Sequence, residues 1–537
     1  MTTLGLRPRA ELPRQYKGYH LIRSHGRVYG IPPFLDVNDF LTHRQPFSHP
    51  ALLSAPSRHD LEVLIDASQA AAPRPESQRR SQHAAAGTVP VDCGAWLPIF
   101  DSAGYSPQRP HLEHMTCPPP GYHFTASWPI DRPQPVPPRG RAARFLTWLG
   151  RAVRRTFPGD GPAPSARARL RTFRACVRLF VRLLRRGASF RAVVRFLRSR
   201  DYPSQVLLAQ APGLVFLTSM PYTYGQNPWV VEIEDPTTLF YPLIENGTTC
   251  DLRIQDSPYY PIVKTLLESD HCRGILTHLK STAAMVPVLF DSELIRAKVH
   301  YTPLGVRLPE RWQRHDGPAE GEPLHLLFIN SWCQVPDNFY VRGGLDVLEA
   351  FAVLRQRYPQ LRLTLRTGLP ALDAHYHRIL EGGGVRVISR FLPTEEMEAL
   401  LAESHVFLLP AARIHVVSLL QAMSYGLAVV TSDGWGIPEY VTHDRNGVLV
   451  PGRYGRASWA DEEAGMLRED YGVMHTPDPD VVRGLVEAVS RLVEDREYRR
   501  RLGRTARRDV ETTYNLERWN RGLQAALEQA MSAGPPR

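Results

Sequence analysis

From residue 205 onward the chain alternates between two kinds of segment. The runs "GLVFLTS", "WVVEIED" and "RGILTHL" are short and apolar almost throughout. Strands covered on both faces read this way, unlike half-exposed strands, which alternate. Longer stretches of helical spacing separate them, and "KVHYTPLGV" closes the block as another strand. After the polar stretch "RLPERWQRHDGPAEGEP" a second block opens. Strands "LHLLFIN", "LRLTLRT", "VRVISRFL", "HVFLLP" and "LAVVTSD" alternate with helices such as "GGLDVLEAFAVLRQRYP" and "TEEMEALLAES". This alternation predicts α/β architecture, with two doubly wound parallel sheets facing a cleft at the carboxyl ends of their strands.

The first two hundred residues have a different pattern. Residues 15–55 alternate apolar and polar around Gly26 and Gly30, which predicts a small β-hairpin unit, and "RHDLEVLIDASQAA" reads as a helix. The proline-rich stretches "APRPESQRRSQHAAAGTVP" and "CPPPGYHFTASWPIDRPQPVPPRG" read as linkers or coreless loops. From Arg139 to Arg200 the only acid is Asp160. Leu170, Phe173, Val177, Phe180, Val181 and Leu184 recur there at helical spacing, with arginines on the other face. Such a helix suits an anionic membrane surface, or packs on the protein's own core with a solvated cationic face. No aromatic platform accompanies it, so nucleic acid is not an expected partner. The expected divisions are an N-terminal β-rich and irregular extension (1–138), a basic helical segment (139–204), two sheet domains (205–310 and 321–480) and C-terminal helices (481–537).

Composition narrows the class only a little. Of 537 residues, 43% are hydrophobic and 22% charged, which suits a globular chain. The net charge of +11 points to a polyanionic or phosphorylated partner. Six cysteines without CxxC pairs read as reduced thiols, and the N-terminus has no signal-peptide pattern. The expected location is cytoplasmic, with peripheral attachment to the inner face of the membrane. His111, His114 and Cys117 match no zinc spacing, so no metal is expected.

The segment Arg413–Val441, "RIHVVSLLQAMSYGLAVVTSDGWGIPEYV", concentrates the candidate chemistry. A helix from Val417 to Tyr425, ended by Gly426, presents free N–H groups at Val416, Val417 and Ser418, beside His415. Gly434 and Gly436 flank Trp435 in a turn that runs into a second helix start at Pro438. Two helix N-termini following adjacent strands suit a diphosphate. Competing readings are local. Ser418 and Gln421 have capping-box spacing, Glu439 has the placement of a helix cap, and Asp478–Asp480 reads as a cap, not as a metal-binding Asp-x-Asp.

In "KVHYTPLGV", "RGGLDVLEAFAVLRQRYPQLRLTL", "FLPTEEMEALLAESHVFLLP", "LLQAMSYGLAVVTSDGWGIPEYVTHDRNGVLVPG" and the tail from Asp478, residues 205–525 resemble the retaining glycosyltransferases of family 4. The resemblance implies a GT-B fold of two Rossmann-like domains. It also implies a nucleotide-sugar donor, a glycan or lipid-linked acceptor, and neither cofactor nor metal. Arg342 falls on the family's diphosphate-contacting lysine, beside Gly343. Gln421 falls on the second carboxylate of the Glu-x7-Glu motif, which holds ribose, and Glu234 falls on a histidine near the reacting sugar. Two departures stand out: Arg413 replaces the motif's first carboxylate, and Asn330 and Ser331 replace an arginine after the first strand. Arg413 either compensates for that lost cation as a third catalytic group with Arg342 and Glu234, or marks a fold that binds nucleotide sugar without turnover. The expected activity is hexosyl transfer with retention in cell-envelope polysaccharide biosynthesis; the alternative is an inactive binding or scaffold protein.

Overall fold

The computed structural model describes residues 14–16, 19–24, 27–31, 53–55, 57–71, 88–92, 117–125, 166–198, 214–218, 228–240, 244, 247–310, 323–330, 337–390, 392 and 394–532. Two compact units are present. The first holds residues 1–87 with two short later segments; the second holds all the rest.

In the first unit the alternating segment forms an antiparallel sheet in the order β1 (Arg14–Tyr16), β2 (Tyr19–Ser24), β3 (Arg27–Ile31), β4 (Leu53–Ala55). Helix α1 (Arg58–Ala71) covers it, and Leu61 and Ile65 pack fully buried against Leu21, Val28 and Ala55. The hairpin expectation thus extends to four strands and a helix.

The second unit contains two six-stranded sheets, all parallel, which form a GT-B fold. The N-lobe runs through β5 (Val89–Asp92), β6 (Tyr122–Thr125), α2 (Ala166–Arg185), α3 (Phe190–Arg198), β7 (Leu214–Thr218), β8 (Trp229–Ile233), α4 (Tyr260–Glu268), β9 (Cys272–Thr277), α5 (Lys280–Phe290) and β10 (Val299–Tyr301). Its sheet order is β10-β9-β8-β7-β5-β6. Two expectations change here. Strands β5 and β6 come from stretches read as linkers, so this lobe begins near residue 88, not 205. The basic helix also belongs to this lobe, with Leu183 and, from α3, Val193 and Phe196 inside its core. Four-residue strands have no periodicity of their own to show. Pairing of Val91 with Leu214, far along the chain, is what makes β5 a strand.

The C-lobe follows as β11 (His325–Ile329), α6 (Gly344–Arg357), β12 (Arg362–Arg366), α7 (Ala374–Glu381), β13 (Val385–Ile388), α8 (Thr394–Glu403), β14 (Val406–Leu409), α9 (Val416–Ser424), β15 (Ala428–Ser432) and β16 (Val448–Val450). The sheet order β13-β12-β11-β14-β15-β16 reverses direction between β11 and β14. Ligands of open parallel sheets bind where the order reverses, beyond the carboxyl ends. A hairpin absent from the sequence reading, β17 (Ser458–Asp461) and β18 (Met466–Glu469), packs Met466 into the N-lobe core. Helices α10 (Pro479–Glu494) and α11 (Arg496–Thr512) cover the C-lobe sheet. The last helix, α12 (Leu516–Ser532), crosses to the N-lobe, where Leu523, Ala526, Leu527 and Ala530 pack on Val91, Phe216, Val230 and Leu276.

Candidate functional site

Beyond the reversal point, β11 leads through Arg342 into α6, and β14 leads through Arg413 into α9. The two connections touch: the Ala412 N–H donates to the Val341 carbonyl at 2.9 Å. Gly343, with φ +77°, allows this approach, because a Cβ there would stand 2.2 Å from the Pro410 oxygen. Gly343 is therefore required by packing whether or not a ligand touches it. The same holds for Gly434, whose Cβ would lie 2.4 Å from the Ala411 oxygen, and for Gly436 with φ +79°. These glycines lay the Trp435 turn on the segment around Arg413, and the Ile414 N–H donates to the Trp435 carbonyl.

Arg413 forms the centre of a buried charge cluster. Its Nη2 donates to Glu234 at 2.5 Å and to Asp235 at 2.6 Å, and its Nη1 donates to Glu469 at 3.0 Å. Glu234 and Asp235 follow β8 of the N-lobe; Glu469 ends β18. Burial alone would lower the guanidinium's pKa, but Asp235, Glu234 and Glu469 together raise it well above its ordinary value. Burial would likewise push Asp235 up; Arg413 and the Thr237 and Thr238 hydroxyls instead hold its carboxyl below the usual range. Glu469 stays raised because burial outweighs Arg413, although Tyr471 Oη and the Gly247 N–H also donate to it. The Arg413 guanidinium stacks 5.4 Å from the Trp435 ring. With three carboxylates already on it, Arg413 is not a spare cation for a diphosphate, which corrects the compensation expected of it.

Arg342 is the contrasting case. The residue is only 5% exposed, yet Nε and Nη1 have no hydrogen-bond partner among the described residues. Burial pulls its pKa down to about 9, with Glu234 and Tyr471 acting against that shift and Arg413 adding to it. A buried guanidinium this poorly compensated calls for an anion. Neighbouring groups are orphaned as well. His415 Nε2, Trp435 Nε1 and both ring nitrogens of His278, just after β9, are buried without partners among the described residues. Burial lowers the His278 pKa and keeps the ring neutral.

Helix α9 starts at Val416, one residue before the expected start, with His415 as N-cap and no side-chain cap. Ser418 therefore sits inside the first turn, and the capping-box reading of Ser418 and Gln421 fails. Val416 and Ser418 are buried, whereas Val417 and Gln421, one turn apart, share a half-open face. The Gln421 side chain makes no hydrogen bond among the described residues. Tyr425 ends the helix with Gly426 beyond it at φ +73°.

The second helix start does not form. Ile437–Glu439 is a three-residue 3-10 turn, so a diphosphate would meet one helix N-terminus, not two. Glu439 does cap a helix, but in the other lobe: its carboxylate accepts from the Lys280 and Ser281 N–H groups at the start of α5, and from Ser281 Oγ. Asn330 is fully buried and bonded to Thr367 Oγ1, an interior post rather than a donor contact. Ser331, His111 and His114 lie outside the described residues. Asp478 caps α10 by accepting from the Asp480 and Val481 N–H groups.

The structure thus brings Glu234, Arg342, Arg413, His415 and Trp435 together from both lobes. Sequence reasoning missed Glu469, Tyr471 and His278. Of these, only His278, at the carboxyl end of an apolar run, carried a signal.

Residues 337–469, the stretch holding these connections, match the family described as glycosyl transferases group 1. Over 166 residues the chain is 30% identical to the amylovoran biosynthesis glycosyltransferase AmsK of Erwinia amylovora, covering 29% of this chain and 38% of that protein. Over 173 residues it is 39% identical to the putative colanic acid biosynthesis glycosyltransferase WcaL of Escherichia coli K12, covering 30% and 40%. The chain therefore spans about two fifths of the length of these relatives. Sucrose-phosphate synthase from Thermosynechococcus elongatus aligns with 83% of this chain and 100% of its own at 14% identity and TM-score 0.45. HepE from Anabaena, solved with UDP and glucose, aligns with 63% of this chain and 80% of its own, at 11% identity and TM-score 0.40. Within this fold the family match falls on the C-lobe and the β17–β18 hairpin.

Proposed function

We propose that this chain transfers a sugar from a nucleotide-sugar donor to a glycan or lipid-linked acceptor, with retained configuration, in cell-envelope polysaccharide biosynthesis. One observation carries the reading: the buried Arg342 guanidinium, its Nε and Nη1 unpartnered among the described residues, lies where the sheet order reverses, on a connection that touches the one leading into the uncapped α9. A leaving diphosphate suits that geometry, since fixed donors in a water-poor site stabilise developing charge without reorganising. Arg342 and the α9 N–H groups supply the charge in this reading, which therefore routes no step through a metal or cofactor. The bond from the sugar's C1 to the diphosphate breaks, the acceptor oxygen bonds C1, and the acceptor's proton leaves with the nucleoside diphosphate. Gln421 serves the ribose. Glu234, its side chain 35% exposed, faces the sugar, and Arg413 acts through Glu234 as a positioning residue. The protein works on the cytoplasmic side of the membrane.

The prediction at the centre of this reading concerns Arg342→Ala. Loss of charge-assisted bonds costs about 1.5–3 kcal/mol, so UDP or GDP should bind roughly 10- to 100-fold more weakly in calorimetry. Unchanged affinity would remove Arg342 from the site. The pH dependence has a definite sign. Only the protonated guanidinium attracts the diphosphate, so wild-type affinity should hold below pH 9 and decline as pH rises through about 9.

A second reading has its own observation. Arg413, standing where the resemblance puts a sugar-binding carboxylate, is neutralised by three acids within the fold. A binding protein without turnover fits that arrangement. Saturable binding of UDP- or GDP-sugars with no nucleotide released, with or without acceptor, would decide for it.

A further inference from the structure

Helix α2 exposes two stripes of different chemistry side by side. Leu170, Val177, Val181 and Leu184 are 49%, 44%, 38% and 37% exposed. At 3.6 residues per turn they fall within about 60° of one another, along about 21 Å of helix. Phe190, at the start of α3, is 63% exposed and meets Phe180 edge to face at 5.7 Å. Next to this apolar stripe, on the flank opposite the core-packed Phe180, stand Arg174, Arg178, Arg182 and Arg185. All four are exposed, and none has an ion-pair partner among the described residues. The acids that α4 and its following loop bring near are Glu268, which pairs with Arg186 at 3.2 Å, and Asp270, beside His271. Like charges four residues apart on a helix repel. Among the described residues nothing offsets that repulsion and nothing covers the apolar stripe.

We infer that this face of α2, with Phe190, is a docking surface for an anionic lipid bilayer, which the protein meets lying in the interface. A bilayer offers both complements at adjacent depths: phosphates for the guanidinium groups, and acyl chains for Leu170, Val177, Val181, Leu184 and Phe190. A polyphosphate strand would satisfy only the arginines. No described helix is long and apolar enough to cross a membrane, so contact is along the surface. The inference deepens the proposed use of a lipid-linked acceptor but rests on different residues from the donor site.

The test is co-sedimentation of the full chain with vesicles of phosphatidylcholine plus phosphatidylglycerol, against phosphatidylcholine alone. Wild type should bind the anionic vesicles selectively. The Arg178→Glu/Arg182→Glu variant should bind about tenfold more weakly or worse. The charge-preserving Val177→Ser/Val181→Ser/Leu184→Ser variant should also lose binding, and its loss should persist at low salt. All these side chains are exposed, so the melting temperature and the thermal shift with UDP should match wild type; that keeps failure of docking distinct from failure of the donor site. Equal binding by the serine variant would overturn the inference, leaving charge alone at work. So would absence of vesicle binding by wild type, including the case where it instead binds an RNA oligonucleotide or an acidic protein.

Discussion

Arg413 and Arg342 are neighbouring guanidinium groups in opposite conditions. The first is held by three carboxylates; the second has buried N–H groups without a partner among the described residues. Removing a partner from a buried ion pair strands the remaining charges, at a cost of about 3–5 kcal/mol. Arg413→Ala should therefore destabilise the fold by about that much in denaturant titration, because Asp235 and Glu469 are left buried without their cation. Arg342→Ala should do the reverse: it removes an uncompensated buried charge, so stability should hold or rise while nucleotide affinity falls. This pair of opposite outcomes separates a structural arginine from a ligand-binding one. Neither condition can be read from the residue type, since both positions are arginine beside a turn.

At the scale of elements, the short turn after Trp435 does more than end β15. It carries Glu439 and Tyr440 across to the N-lobe, where Tyr440 Oη donates to the His278 carbonyl at 2.7 Å and Glu439 caps α5. Helix caps contribute about 1 kcal/mol, so Glu439→Ala should lower stability by about that amount, read as a shift in the denaturation midpoint. The same carboxylate looked, in the sequence, like a cap for its own helix. Its chemistry was legible and its target was not, because Ile437–Glu439 stops after three residues. Strands β7 to β15, though not the three-residue β16, were legible as runs, chiefly because burial on both faces imposes an apolar run on β8, β9, β11, β14 and β15. Strands β5 and β6 were not: each has four residues, and proline-rich surroundings mask them. The β17–β18 hairpin was missed because its alternation mixes Trp459, Asp461 and Arg468 with small residues, and its buried members are selected by the N-lobe surface it meets.

Across the whole molecule, the two lobes of the second unit are tied at several points. Arg413 reaches Glu234 and Asp235, Glu469 accepts from Gly247, and α12 covers the N-lobe sheet. Deleting residues 516–532 should uncover Val91, Phe216, Val230 and Leu276 and drive aggregation, visible as loss of the monodisperse species in light scattering. The tie is also pH-sensitive, with a sign set by Asp235. Its folded pKa lies below the unfolded value, so its contribution is present above about pH 4 and drains as pH falls through the folded pKa. Glu469, whose folded pKa is raised, acts the other way, losing stability as pH rises through its folded value. Because Asp235 is held charged and Glu469 resists charging, acid below pH 4 should weaken the tie through Asp235 first. Denaturation midpoints measured from neutral to acid pH for wild type and Asp235→Asn would show whether that slope disappears.

By itself, the order of apolar runs determined two parallel sheets, since each run can bury both faces only beside others like it. It also placed Arg342 at a turn after the first strand of the second sheet, and a helix start at Val417, within one residue of the observed one. The tertiary structure alone decided which charges meet. Arg413 bonds Asp235 across 178 residues and Glu469 across 56, spacings in which no local pattern connects them. Once water is excluded, a guanidinium must bond whichever carboxylates the packing delivers. That is why a residue that looked spare in the sequence is fully paired in the fold, while its neighbour Arg342 is the one left for a ligand.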